Sequence, residues 1–512
     1  MSRLLEQMGA LLSNANLQVP MLSVASAMAS AACFLTYKNL FSEPSIFSNS
    51  HVPTSGSPWM PPRLEALLAD TKLFPARPSP YDSPVKVGGM FWSLIRSGQL
   101  FFKLCFMSTL SLLVLPMYLL GLIFYGRSPT AMPLSQALLW VGFFCEHGYN
   151  HSGPYMLLQI AVKVTMIPSI GCFWYLDNII NRGWDKKLYR PIFMISAGRS
   201  GSTETGRLIA ESHGVVSPAA VQLAFPLIIL WNKLLGEFRK DPVKMHGAVL
   251  PGMYDQTRIA SEFATRHEIN LLETDTAEPI FGSFYQFTQF MAEGGDELYC
   301  MQWSQPDKRL NPTFWNDFTD YLLAVMKKTV YYEKGSPTTR CFVKGHFVGV
   351  GADIEARCPD ASFVTSVRPA DARAESYINH LYNFLTNCNE EMCPYHRWPT
   401  LARAGTAIEV LYTESEARFY LEKGAKTKRV IYNFTDFTND PNGTLKAVLE
   451  EIGLQFDAEK AEKAVSKMME ARKHRPIYQI DRKLEELGVS RKYLMEIQTP
   501  VIDSMIAAAI TV

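Results

Sequence analysis

The sequence predicts an α/β protein, a parallel sheet flanked by helices, preceded by an N-terminal membrane-associated helical region. Three observations carry this. From about Lys186 onward, short apolar runs of strand length alternate with longer helical patterns, the order expected of a parallel sheet covered on both faces. Leu104–Tyr125 holds 22 residues without a charge, and a bilayer core needs about 20 in a helix. Only 19% of the 512 residues are charged, below the roughly 25% of soluble domains, which points to embedded segments. That length allows two or three units at about 150 residues each. The balance of 50 Lys and Arg against 49 Asp and Glu excludes the basic excess of a nucleic-acid protein. Nine cysteines without a CxxC pair exclude a disulfide scaffold or zinc ribbon.

The first uncharged stretch, Leu17–Tyr37, fits a weak membrane helix, a signal anchor or a transit-type leader. Residues Ser42 to Pro84 are polar and proline-rich, with Pro53, Pro58, Pro61, Pro62, Pro75, Pro78, Pro80 and Pro84, and read as an extended linker. In the strong run Leu104–Tyr125, Pro116 is tolerable because neighbours can satisfy the freed carbonyl. A second run, Tyr155–Leu176, is interrupted by Lys163, Pro168 and Gly171, so spanning and interfacial placements both stay open. Lys86, Arg96 and Lys103 precede the first run, Arg182, Lys186, Lys187 and Arg190 follow the second, and Arg127 alone is basic between them. The positive-inside rule then favours a hairpin with both outer flanks cytoplasmic. A single span would instead make the C-terminal domain luminal. The sequence divides into 1–98, a membrane region 99–185 and an α/β domain 186–512.

Within that domain, strands are expected at Ile192–Ser196, Cys341–Val343, Ser362–Val367 and Arg429–Tyr432, and helices at Asp371–Leu385 and Thr444–Ile452. The charged stretch Asp457–Ala509 is helical, with a stop at Gly488. After the first strand comes Ala197-Gly198-Arg199-Ser200-Gly201-Ser202-Thr203, and a helix starts near Thr203. A glycine-containing turn at a helix N-terminus presents free N–H groups and the positive end of the macrodipole to a phosphate. Ser202 and Thr203 add hydroxyls and Arg199 a planar fork for oxyanions. No GxxxxGK[ST] sequence is present, which disfavours an ATP-dependent kinase. A second stretch places Lys344 and His346 after a short strand, then Arg368 at the end of another, with Ser376 eight residues later.

In this order and spacing the chain resembles the sulfotransferases that use 3′-phosphoadenosine 5′-phosphosulfate, over roughly Tyr189–Leu487. The resemblance implies a P-loop NTPase-like sulfotransferase fold. It implies that Arg199, Ser200, Gly201, Ser202 and Thr203 cradle the 5′-phosphosulfate, and that Arg368 and Ser376 hold the 3′-phosphate. Lys344 and Arg199 would offset charge on the bridging oxygen, and His346 would be the general base, suited by an unperturbed pKa near neutrality. Val430–Phe456 resembles the family's Y-E-D-L segment with its helix, and the tail from His474 resembles carbohydrate-type members. Glu204 stands where cytosolic members carry an aromatic near adenine, and Phe434 replaces their Tyr. Their R-K-G element is missing, since Arg472-Lys473 and Arg491-Lys492 lack the glycine.

The function expected is a membrane-anchored sulfotransferase acting on a hydroxyl acceptor, glycan, glycolipid or sterol-like, in an endomembrane such as Golgi or ER, without a metal. The other reading is a catalytically inactive nucleotide-binding membrane protein of the same fold, motivated by Glu204 and Phe434. The stretches Phe281–Thr339 and Thr386–Lys428 are expected to shape the acceptor site, with Trp303, Trp315, Tyr331 and Trp398 able to line it or to pack in the core. Cys388, Cys393 and His396 cluster without an evident fourth metal ligand, and Glu146, His147 and His151 read as a loop.

Overall fold

The computed structural model describes residues 62–75, 85–86, 90–130, 153–224, 226–240, 314–388, 395–396, 398–474 and 483–510. Helix α1 (Pro62–Leu68) and a two-residue strand β1 (Val85–Lys86) precede the long helix α2 (Met90–Tyr125). Helix α3 (Gly153–Ile180) leads into β2 (Ile192–Ile195), α4 (Ser202–Ala210) and β3 (Val215–Val216). Helices α5 (Ala220–Ala224), α6 (Ile228–Lys240) and α7 (Phe314–Tyr332) come before β4 (Arg340–Gly345). Then follow α8 (Gly351–Arg357), β5 (Ser362–Val367), α9 (Ala370–Cys388), β6 (Tyr395–His396), α10 (Trp398–Tyr420) and β7 (Lys428–Asn433). The last described helices are α11 (Phe434–Asn439), α12 (Pro441–Glu451), α13 (Ala458–His474) and α14 (Arg491–Ala507).

Five strands make one parallel sheet in the order β3-β4-β2-β5-β7. Every residue of β2, β4 and β5 is buried, as the continuous apolar runs require when helices cover both faces. One face carries Phe193, Ile195, Val343, Phe363 and Ile431 against α7 and α10. The other carries Ile192, Met194, Phe342, Val364 and Tyr432 against α4, α12 and α13. The four strands expected from sequence are all present, and the short edge strand β3 is an addition. Two helices, α7 and α10, occupy part of the stretches expected to shape an acceptor site, and both pack against the sheet; residues 281–313 and 389–394 lie outside the described residues. Trp315 is 1% exposed and packs under the sheet, whereas Tyr331 is exposed. Trp303 lies outside the described residues, as do Cys393, Glu146, His147 and His151.

The proline-rich stretch is not extended throughout. Leu64, Leu67, Leu68 and Leu73 are buried, Arg403 Nη2 donates to Leu68 O at 2.7 Å, and Arg63 pairs with Glu414. Burying each leucine stabilises by about 1.5–3 kcal/mol, enough to order residues 62–75 on α10 despite their prolines. The helical hairpin expected from charge distribution is also absent. Ser111 reaches Thr165 O and Ser169, Tyr118 packs on Gly171, and Tyr175 packs on Gly121. Partner numbers rise together, so α2 and α3 run parallel. The seam on α2 repeats every seven residues, Leu104, Ser111 and Tyr118, which suits side-by-side helices at a small crossing angle. Gly121 and Gly171 leave room for the two tyrosine rings, where an added Cβ would fall 2.0 and 2.4 Å from ring carbons.

The pair is fastened to the sheet domain by a buried ion pair. Asp177 on α3 and Lys328 on α7 are both fully buried and hydrogen-bonded to each other. Asp177 Oδ1 also accepts from Ile229 N at 3.1 Å, and Lys328 Nζ lies 4.1 and 4.9 Å from the Trp174 and Trp184 ring centres. Burial pulls the Lys328 ammonium down from its ordinary range, and Asp177 opposes that. Removing one partner of such a pair leaves an uncompensated buried charge, at a cost of about 3–5 kcal/mol. Lys328→Ala is therefore expected to lower the unfolding free energy measured by denaturant titration by an amount of that order, and the midpoint with it. An unchanged midpoint would show that the pair does not fasten the helices.

Candidate active site

Topology decides where the site must be. The first strand of the domain, β2, has β4 on one side and β5 on the other, so the chain turns to opposite sides of it. In open α/β sheets the crevice outside the carboxyl ends at such a switch receives the ligand. Every element singled out by sequence leaves from one of these carboxyl ends. The glycine turn follows β2, Lys344 and His346 end β4, Arg368 follows β5, and Phe434 follows β7.

The turn is bound to the framework on three sides. Beyond Met194 and Val364 the β2–β5 ladder stops, and the Tyr420 hydroxyl lies 2.8 Å from both Ile195 O and Val364 O. Arg368 Nη1 donates to Arg199 O at 2.9 Å and Ser366 Oγ to Ser200 O at 2.8 Å. Arg199 takes a left-handed backbone, φ 62°, which L side chains adopt at a cost of about 1–2 kcal/mol, and these bonds hold it there. Gly201 follows at φ 88° and starts α4, whose first N–H groups have no partner within the helix. A Cβ at Gly201 would lie 2.0 Å from the Phe434 ring, so only glycine satisfies both the dihedral and the packing.

Three cations gather at this turn. Arg199 Nε donates to Ser376 Oγ at 2.9 Å, which joins the turn to the second turn of α9. The Arg368 guanidinium sits 5.4 Å from the centre of the Phe434 ring, the same ring that an added Cβ at Gly201 would meet. Lys344, 1% exposed, reaches past Gly206 and donates to Thr203 Oγ1 at 2.9 Å. The structure therefore brings Arg199, Ser200, Gly201, Ser202, Thr203, Lys344, Arg368 and Ser376 into one cluster. His346 joins them, with Nδ1 2.6 Å from Ser196 O. A carbonyl can only accept, so Nδ1 carries the proton and the neutral ring keeps its basic lone pair on Nε2. Asn433 caps α11 by accepting from Thr435 N at 2.9 Å.

Sequence reading missed the support beneath the turn. Glu416, fully buried on α10, accepts from Ala197 N at 3.2 Å and from Thr365 Oγ1. Arg373 on α9 lies between Glu416 and Glu409, at 3.7 and 3.3 Å, all three buried. Burial raises the Glu416 carboxyl to about 7 while Arg373, Thr365 and Ala197 oppose it, and burial raises Glu409 likewise. A sequence signal existed, since Glu409 and Glu416 fall seven apart and so share one face of the helix, Glu409 within the apolar run Ala407–Tyr412. Among the described residues no group of three His, Cys, Asp or Glu side chains could hold a metal ion.

A glycine-containing turn after the first strand of a parallel sheet flanked by helices, with cations from neighbouring strand ends, defines the class of α/β protein. A family model described as the sulfotransferase family matches residues 191–458, more than half of the chain, and the chain belongs to that family. Sulfotransferase STF1 from Mycobacterium tuberculosis H37Rv superposes with a TM-score of 0.50 at 13% identity, over 76% of this chain and 98% of that one. At that identity the likeness speaks for the fold. Sulfotransferase STF9 from Mycobacterium avium aligns over 69% of this chain and 85% of its own, at 13% identity and TM-score 0.43. No curated protein matches in sequence.

Because the folded-state pKa of Glu416 is raised above the unfolded value, the folded chain holds the extra proton between the usual carboxylate range and about 7. Its contribution to stability is present at low pH and declines as pH rises through that window. Each tenfold change in proton affinity is worth about 1.4 kcal/mol, which caps the effect at roughly 3–4 kcal/mol. Glu416→Gln is expected to flatten the fall of the unfolding midpoint between pH 5 and pH 8. An equally steep fall in the variant would remove Glu416 as its source.

Proposed function

We propose that the chain is a sulfotransferase that uses 3′-phosphoadenosine 5′-phosphosulfate and a hydroxyl acceptor, and that works at a membrane. One observation carries the donor assignment: Arg368 touches the turn that ends at Gly201, so cations for two separate phosphate groups adjoin one helix N-terminus. The cluster suits a doubly phosphorylated nucleotide. Arg199, Lys344 and Arg368 supply three positive charges, and Ser200 Oγ is buried there without a protein partner. When bound, the donor supplies an activated sulfuryl group.

The chain's own residues then have distinct tasks. Ser202, Thr203 and the N–H groups of the first turn of α4 orient the 5′ end, and Arg368 with Ser376 orients the 3′ end. Arg199 and Lys344 offset the negative charge that develops on the oxygen between phosphorus and sulfur. His346 Nε2 takes the acceptor proton as the new sulfur–oxygen bond forms and the bond to the 5′-phosphate breaks, leaving adenosine 3′,5′-bisphosphate. No metal is needed for this sequence of events. The exposed apolar face of α2 supports a membrane location; Golgi or ER, with a glycan, glycolipid or sterol-like acceptor, is the placement this reading adopts.

Membranes holding the full chain and given radiolabelled sulfate donor are expected to label a lipid or glycan fraction. His346→Ala should reduce transfer about 10²–10⁴-fold, the range for a general base, and Arg199→Ala at least as much, with both variants still folded. Near-normal turnover in His346→Ala would reject it as the base. Tight bisphosphate binding without any transfer would favour the inactive nucleotide-binding reading.

A further inference from the structure

Helix α2 passes the length and hydropathy test for a membrane span between Phe101 and Tyr125, yet its two flanks are bound to the same domain. On the N-terminal side, residues 62–75 are fixed to α10 and α14, with Ser490 N donating to Leu73 O at 2.9 Å. Four residues before α2 begins, β1 pairs antiparallel with β6, which links α9 to α10. At the C-terminal side, Tyr175 Oη donates to Gly126 O at 2.7 Å and Arg127 pairs with Asp317 on α7. At 1.5 Å per residue the 36 residues of α2 run about 54 Å, and both ends return to one globular body.

A helix crossing a bilayer delivers its flanks to opposite faces, about 30 Å apart at the least. The chain between Phe74 and Met90 would then have to cross as well, and it is proline-rich and too short of apolar residues to do so. What α2 exposes is nevertheless strongly apolar. Phe102, Phe106, Leu113, Leu120 and Phe124 are 55–75% exposed at spacings of four and seven, on the side opposite the Leu104–Ser111–Tyr118 seam. A protein-binding face is only about 56–65% apolar and carries a polar rim, whereas Leu104–Tyr125 has no charged residue. A lipid surface fits this face, with exposed Lys103 beside it for headgroups.

We infer that α2 lies along one leaflet without crossing it, its outward face in lipid and α3 behind it, so that the segment before α2 and the sheet domain occupy the same side of the membrane. This rests on the membrane location proposed above and specifies its form.

The full chain inserted into sealed microsomes tests this, with Lys72→Cys and Glu462→Cys placed singly and scored by the extra mass from an impermeant polyethylene glycol maleimide. Both positions are expected to react alike, either both before detergent or both only after it. Reaction of one before and the other only after detergent would overturn the in-plane placement while leaving membrane association intact. Flotation with phosphatidylcholine vesicles gives the second readout. The double variant Phe106→Glu, Leu113→Glu is expected to float at least tenfold less than the parent, with adenosine 3′,5′-bisphosphate affinity within about twofold as the check on folding. A parent chain that stays at the bottom, or a folded variant that floats unchanged, would overturn the lipid assignment. Should the variant misfold, the labelling of the two cysteine chains decides alone.

Discussion

The contact on which the site depends is the one between Arg368 and the carbonyl of Arg199. It couples the end of β5 to the turn after β2, two strands that are neighbours in space and far apart in sequence. Through it the left-handed backbone at Arg199 and Gly201 is held, α4 begins where it does, and the N–H groups of its first turn face the crevice. The Arg368 side chain also covers Phe434, whose ring fills the space that a Cβ at Gly201 would need. Loop shape and cation placement are one interaction, so neither can be altered alone.

Beneath that contact lies an electrostatic balance. An ionised carboxylate beneath the turn would repel the anionic donor proposed for it, and Glu416 reaches the backbone of Ala197. Burial favours its protonated form, and Arg373 compensates whatever charge remains. Glu409 shares the same guanidinium, so α9 and α10 are clamped together directly under the site. The same two helices carry Ser376 above and hold α1 outside.

Much of this was legible in the residues. The strands announced themselves as short apolar runs, and Ser362–Val367 has the same bounds in sequence and structure. The site residues were legible because each motif sits at a strand end, where side chains must leave the sheet toward the ligand. Glu416 was not, because its role depends on which helix returns under the turn, and periodicity gives a face but no neighbour. The orientation of α2 and α3 was hidden for a similar reason. Hydropathy measures how apolar a helix is and carries no direction, so Tyr118 on Gly171 and Tyr175 on Gly121 could not be foreseen. The proline-rich stretch misled by composition, since four well-spaced leucines outweigh the prolines around them.

The account stands on one nucleotide being gripped at both ends by this cluster, and a calorimetric comparison of two ligands tests it most directly. Adenosine 3′,5′-bisphosphate and adenosine 5′-monophosphate differ only in the group assigned to Arg368 and Ser376. The parent chain is predicted to favour the bisphosphate by about 100-fold or more, roughly 3 kcal/mol for a charge-assisted phosphate contact, and Arg368→Ala should bring the ratio close to one. Equal affinities in the parent chain, or a preference that survives the loss of Arg368, would contradict it.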